Sequence, residues 1–164
     1  MSESTARLKD HLAAELTAVR ARSNALTVEL LDEAELRTQH SPLMSPLVWD
    51  LAHVGNYEEQ WLLRTAAGQE ALRPDIDHIY DAFENPRADR VELPLLTPAE
   101  AQAYNATVRT RVLDSLDQVR LDTPLLNGGL VYHMVVQHEH QHDETMLATL
   151  QLRDGPAVLP DASA

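Results

Sequence analysis

The chain has 164 residues, enough for one compact domain with a core of its own. Its 26 acidic against 13 basic side chains give a formal charge of −13, which repels a phosphate backbone or an anionic membrane surface and argues against both as partners. It contains no cysteine, so disulfides, thiolate metal sites and a cysteine nucleophile are excluded.

The first predicted helix runs from about Ser4 to Leu31, with Leu8, Leu12, Leu16, Val19, Leu26 and Leu30 on steps of three, four or seven. The second opens at Ser45-Pro46, read as an N-cap followed by proline at the first helical position. It continues through Trp49, His53, Gln60 and Trp61 to about Gly68. The third opens at Thr97-Pro98-Ala99-Glu100, a capping box, and carries a stripe of Tyr104, Val108, Val112, Leu116 and Val119. The fourth follows the Asn127-Gly128-Gly129 break and stops before Gly155-Pro156. No segment alternates with period two for long enough to argue a strand.

The expectation is an all-α fold, a four-helix bundle over residues 1–155, with 156–164 as a tail or linker. A long proline-rich connection, Arg73 to Pro98, separates the second and third helices. Such a length in a compact domain is functional or is ordered by something else. No apolar stretch approaches the ~20 residues that span a bilayer. The N-terminus opens into a charged amphipathic run instead of a signal segment, so the expected setting is cytoplasmic.

Three of the eight histidines fall within five residues, His138-Glu139-His140-Gln141-His142. Successive helical residues are about 100° apart, so His138 and His142 share a face and can chelate one ion, while His140 points away. Two ligands hold a metal weakly, and a third is expected from a facing helix. His53 is the candidate, because it shares a face with Trp49, Asn56, Tyr57 and Gln60, a polar patch within an inward stripe. His11, His40, His78 and His133 lack such a setting and are read as ordinary residues. Three imidazoles without a thiolate suit Fe(II), Zn(II), Ni(II) or Cu(II) alike. Open positions on the ion mark a catalytic site more than a structural one.

The same segment satisfies His-Glu-x-x-His, the zinc-protease pattern with Glu139 as general base. That class needs a third ligand downstream, yet position 148 is Ala and no Glu follows Glu144. The protease reading is set aside on that ground.

Three runs together carry a family resemblance: Ser45-Pro46-Leu47-Val48-Trp49-Asp50-Leu51-Ala52-His53, Tyr80-Asp81-Ala82-Phe83-Glu84-Asn85-Pro86-Arg87 and His138-Glu139-His140-Gln141-His142-Asp143-Glu144-Thr145. In this order they resemble the N-terminal domain of the ergothioneine-biosynthesis sulfoxide synthases, the hercynine oxygenases. The resemblance covers about positions 41–153 and implies a DinB-like four-helix bundle whose His53, His138 and His142 bind a non-haem Fe(II). It implies a reaction in which O2 joins the sulfur of γ-glutamylcysteine, or of cysteine, to the imidazole C2 of hercynine as a sulfoxide. Gln141, Tyr57 and Asn56 are the expected substrate-side residues near the ion. Arg87 and Arg90 in the long connection are candidates to clamp a substrate carboxylate. Asp143 and Glu144 are candidates to orient a ligand imidazole through its second nitrogen.

Members of that family carry a second, C-terminal domain that completes the substrate site and supplies a catalytic Tyr. Nothing in this chain corresponds to it, so a missing domain or a partner chain is expected, and no catalytic residue is assigned here. Val136, Leu147 and Leu150, opposite the ligand face, are the expected docking surface. The alternatives are a zinc-dependent thiol transferase on the same bundle, with Zn(II) in the three-His site, and a non-catalytic binding module.

Overall fold

The computed structural model describes residues 3–159, and every regular element among them is helical. The elements are α1 (Glu3–Ala25), a short α2 (Glu33–Arg37), α3 (Leu47–Glu58), α4 (Pro98–Leu116) and α5 (Leu130–Gln151). Helix α3 runs on without a break into a π-helical segment over Glu59–Ala66. The four long helices form the bundle: α3 packs against α4 and α5, and α1 packs against α5 and α4.

The capping box is present, with Glu100 N donating to Thr97 Oγ1 and Thr97 N donating to Glu100 Oε2. The Asn127-Gly128-Gly129 break is present too. Gly128 and Gly129 sit at φ 63° and 79°, a region glycine enters without a Cβ penalty, and α5 starts at the next residue. Two boundaries differ from the sequence pattern. Helix α1 ends at Ala25, where turns take over. Leu26 and Leu31 still face the core, so the apolar spacing outlasts the helix that it suggested. Pro46, not Ser45, stands at the N-cap of α3, and the Ser45 hydroxyl instead accepts a hydrogen bond from Arg90 Nη1 at 2.8 Å.

Helix α3 lies at the centre, and all of its residues except Tyr57 are buried. A helix without a solvent face must pair every polar group that it carries, and these pairs set the geometry below. The α3–α4 contact is close at Gly55: a Cβ there would sit 1.8 Å from Asn105 Oδ1. Asn105 Nδ2 reaches past it to donate to Leu51 O at 2.8 Å.

Two corrections concern α5. Val136 and Leu150 are buried and Leu147 packs against the core, so the apolar side opposite the ligand face is covered by the bundle itself. It is not a surface waiting for a partner. Glu139 is 1% exposed and ties helices together on the far side from the ligands. Arg20 Nε donates to Glu139 Oε1 at 2.6 Å, and Arg20 Nη2 donates to Glu58 Oε2 at 2.8 Å. Arg109 Nε donates to Glu58 Oε1 at 2.7 Å. This buried network holds one charged side chain from each long helix and rules Glu139 out as a general base in the cavity.

The connection between α3 and α4 is ordered by the bundle. Ile76, Ile79 and Tyr80 are buried, and two short 3-10 turns, at Pro74–Ile76 and Arg87–Glu92, carry the chain across. Its start is held by Arg64 from the π-helical segment. That guanidinium bridges Glu59 (2.7 Å) and Asp77 (2.6 Å), and Asp77 also accepts from Asn56 Nδ2 at 2.8 Å.

Candidate metal centre

His53 from α3 meets His138 and His142 from α5, and one ring nitrogen from each lies within 4.8 Å of the other two. Among the described residues this is the one group of three such side chains with that spacing. His53 Nε2 and His138 Nε2 are 3.2 Å apart. Ring centroids are 5.0 Å apart for His53–His138 and 4.6 Å for each of the other two pairs.

Hydrogen bonds fix two of the tautomers. The Tyr80 carbonyl can only accept, so His53 Nδ1 donates to it at 2.7 Å and leaves Nε2 with its lone pair. Asp50 Oδ1 accepts from His142 Nδ1 at 2.8 Å, which again frees Nε2. This carboxylate–imidazole arrangement is the usual support of a metal-ligating histidine. His138 Nδ1 is buried without a hydrogen-bond partner, and the ring is held by stacking on Tyr57, 3.7 Å between centroids at 12°.

Burial, followed by the neighbouring His142, lowers the His53 pKa to about 4. Burial and the two other imidazoles lower that of His138 to about 2. At neutral pH these rings are therefore uncharged, as metal binding requires. Two ring nitrogens 3.2 Å apart, the His53 one carrying a free lone pair, suit a shared cation. The donor set of three imidazole nitrogens fits a divalent transition ion.

The three histidines open onto a cavity of about 450 Å³, walled by Asn56, Tyr57, Gln60, Trp61, Tyr80 and the Asp81–Phe83 stretch. Behind His53 is a stacked column. Trp49 lies 4.5 Å from His53 at 14°, and the Arg90 guanidinium carbon sits 3.5 Å over the Trp49 ring. Trp49 Nε1 donates to Ile79 O at 3.0 Å, so column and connection are tied together.

Of the other sequence candidates, Tyr57 and Asn56 line the cavity. The Asn56 amide is already engaged with Asp77 and Gln60. Gln141 is exposed beside His142 and does not line the cavity. Arg87 is exposed and reaches Leu43 O. Arg90 is buried and outside the cavity lining, its guanidinium spent on Ser45, Asn85 O and the Trp49 face. Asp143 faces Ser23 and Arg22 instead of a ligand ring, and Glu144 is exposed near Arg22. The imidazole partner is Asp50, which sequence reasoning passed over. Its signal was present, because Asp50 stands three residues before His53 on the same inward stripe. The Tyr80 carbonyl carried no side-chain signal at all.

The chain is similar to curated hercynine oxygenases. It is 52% identical over 141 residues to that of Mycolicibacterium smegmatis, which covers 85% of this chain and 32% of that protein. It is also 52% identical to those of Mycolicibacterium thermoresistibile and Mycobacterium tuberculosis, each over 88% of this chain and 32% and 34% of theirs. The chain thus spans about a third of the length of the curated relatives it matches. Residues 15–146, which hold the three clustered histidines, the second half of α1, all of α3 and α4 and all but the last five residues of α5, match the DinB superfamily, and the chain belongs to it.

Proposed function

We propose that this chain is the iron-binding part of a hercynine oxygenase acting in ergothioneine biosynthesis. The observation that carries the reading is the convergence of His53, His138 and His142, with Nε2 freed on His53 and His142, on an aromatic-walled cavity. The similarity to three proteins named hercynine oxygenase supports the same reading.

In this reading His53, His138 and His142 hold Fe(II), which supplies O2 activation and a binding position for a thiolate. The overall change joins the sulfur of γ-glutamylcysteine or cysteine to the imidazole C2 of hercynine. One atom of O2 enters the sulfoxide and the other leaves as water with the thiol and C2 hydrogens. The residues of this chain orient and shield. Asp50 and Tyr80 aim two ligand rings, Trp49 and Tyr57 hold imidazoles by stacking, and Tyr57, Asn56, Gln60 and Trp61 wall the substrate space. Arg87 and Gln141, both exposed, are available to substrate groups that extend beyond the cavity. The remaining length of the relatives is the proposed source of the rest of the site, as a further domain or a partner chain.

Elemental analysis of protein purified without oxygen tests the metal, and an anaerobic Fe(II) titration with γ-glutamylcysteine and hercynine tests the ligands. The expected result is an iron signal that each substrate perturbs and that His53→Ala, His138→Ala and His142→Ala each abolish. Tightly held zinc with oxygen-independent transfer of a thiol to an electrophile would replace this reading with a thiol transferase. Metal binding that survives all three substitutions would leave a bundle without a metal centre.

A further inference from the structure

His11 and Glu15 stand one turn apart on α1, and His133 lies in the first turn of α5, which packs against α1. The sequence gives no reason to connect them, since the two histidines sit 122 positions apart. The fold brings them around one carboxylate oxygen. Glu15 Oε2 is 3.5 Å from His11 Nε2 and 3.1 Å from His133 Nδ1, and the two rings are 6.2 Å apart between centroids. That oxygen is shielded from solvent, yet it makes no hydrogen bond of acceptable geometry to either ring.

A transition ion takes histidine nitrogen and carboxylate oxygen at about 2.0–2.2 Å, which places neighbouring ligand atoms roughly 3–3.5 Å from one another in a tetrahedral shell. Two edges of the His11–Glu15–His133 triangle have that length already. The third edge, between the imidazole nitrogens, is open, since the three-His centre alone has all its ligand atoms within 4.8 Å. Closing it would take a rotation of the His11 side chain, which at 61% exposed is free of core packing. Ligation by two imidazoles and one carboxylate would leave a divalent cation a net single positive charge, in a chain whose formal charge is −13, so a divalent cation is favoured there.

We propose that His11, Glu15 and His133 form a second site for a divalent transition ion, separate from the three-His centre. The ion would clip the N-terminal half of α1 to the first turn of α5, with water completing its shell. Imidazole and carboxylate together suit Zn(II), Ni(II) or Cu(II), and zinc is the probe of choice because it needs no control of oxidation state.

The test is a calorimetric titration of the chelator-treated chain with zinc chloride, counting equivalents bound. His11→Ala, Glu15→Gln and His133→Ala are each expected to bind one equivalent fewer than the unaltered chain at zinc concentrations that saturate it. His78→Ala, on an exposed histidine outside both clusters, is expected to keep the full count. His138→Ala removes a different equivalent, and His11→Ala/His138→Ala removes two, so failure at one site is separable from failure at the other. Unchanged stoichiometry in the first three variants overturns the proposal and leaves a surface carboxylate flanked by two histidines. His11 is exposed and Glu15 and His133 are half-buried, and an unaltered far-ultraviolet circular dichroism spectrum checks that each variant folds.

Discussion

At the scale of single residues, the candidate ligand histidines divide by how far a local rule reaches. His138 and His142 are a spacing of four on one helix, a relation that geometry fixes before any tertiary structure exists. His53 could be named only by asking what a pair of imidazoles lacks. The groups that aim the rings were beyond reach for a physical reason: a tautomer is set by whichever acceptor the fold brings to the second nitrogen. For His142 that acceptor is Asp50, 92 positions away, and for His53 it is a backbone carbonyl. Replacing Asp50 with Asn keeps the shape and removes the charge. It is expected to weaken metal affinity about 10- to 100-fold, the usual effect of losing such a partner. Competition with a chelator of known affinity measures the change, and an unaltered affinity would mean that Asp50 only fills space.

At the scale of elements, the parts legible in the sequence were those with local causes. The Thr97–Glu100 capping box and the Gly128-Gly129 break close within a few residues and are present in the structure. The end of α1 was not legible, because Leu26 and Leu30 keep the apolar period while packing from turns. The α3–α4 contact gives a sharp prediction. Gly55→Ala places a methyl against the Asn105 amide, which is itself held by Leu51 O. Overpacking of that kind costs about 1–3 kcal/mol, read as a lower urea midpoint with the slope unchanged. Glu139→Gln leaves Arg20 and Arg109 with fewer countercharges in a buried network. Loss of one partner from a buried pair costs about 3–5 kcal/mol. The same denaturation curve checks it, and a stability near that of the unaltered chain would show the network to be redundant.

At the scale of the whole molecule, the two depressed histidines couple protonation to folding. His53 and His138 have folded-state pKa values of about 4 and about 2, against 6.5 for a free imidazole. Below pH 6.5 the unfolded chain binds protons that the folded chain refuses, so stability falls as pH falls through that window and is level above it. Asp143, which burial holds above the usual carboxylate range, opposes this as one group against two. For metal-free protein the expected loss approaches 1.4 kcal/mol per pH unit for each histidine, seen in urea midpoints between pH 6.5 and 5. A flat profile would mean that the rings are hydrated and not desolvated as the structure has them. Adding a metal at about 100 times its dissociation constant is expected to stabilise the fold by about 2.7 kcal/mol per site, or roughly 5–10 °C in Tm at this chain length.

The π-helical segment after α3 has a reach that its size does not suggest. Arg64 and Glu59 are five residues apart, a spacing that puts side chains side by side only where the helix is widened. From there Arg64 holds Asp77, three residues ahead of the Tyr80 whose carbonyl aims His53. The irregularity therefore acts as a lever with its short arm in the helix and its long arm at a ligand. Deleting one residue between Gln60 and Thr65 would heal the helix into a regular one. The chain would keep all three histidines and lose the strut that points one of them.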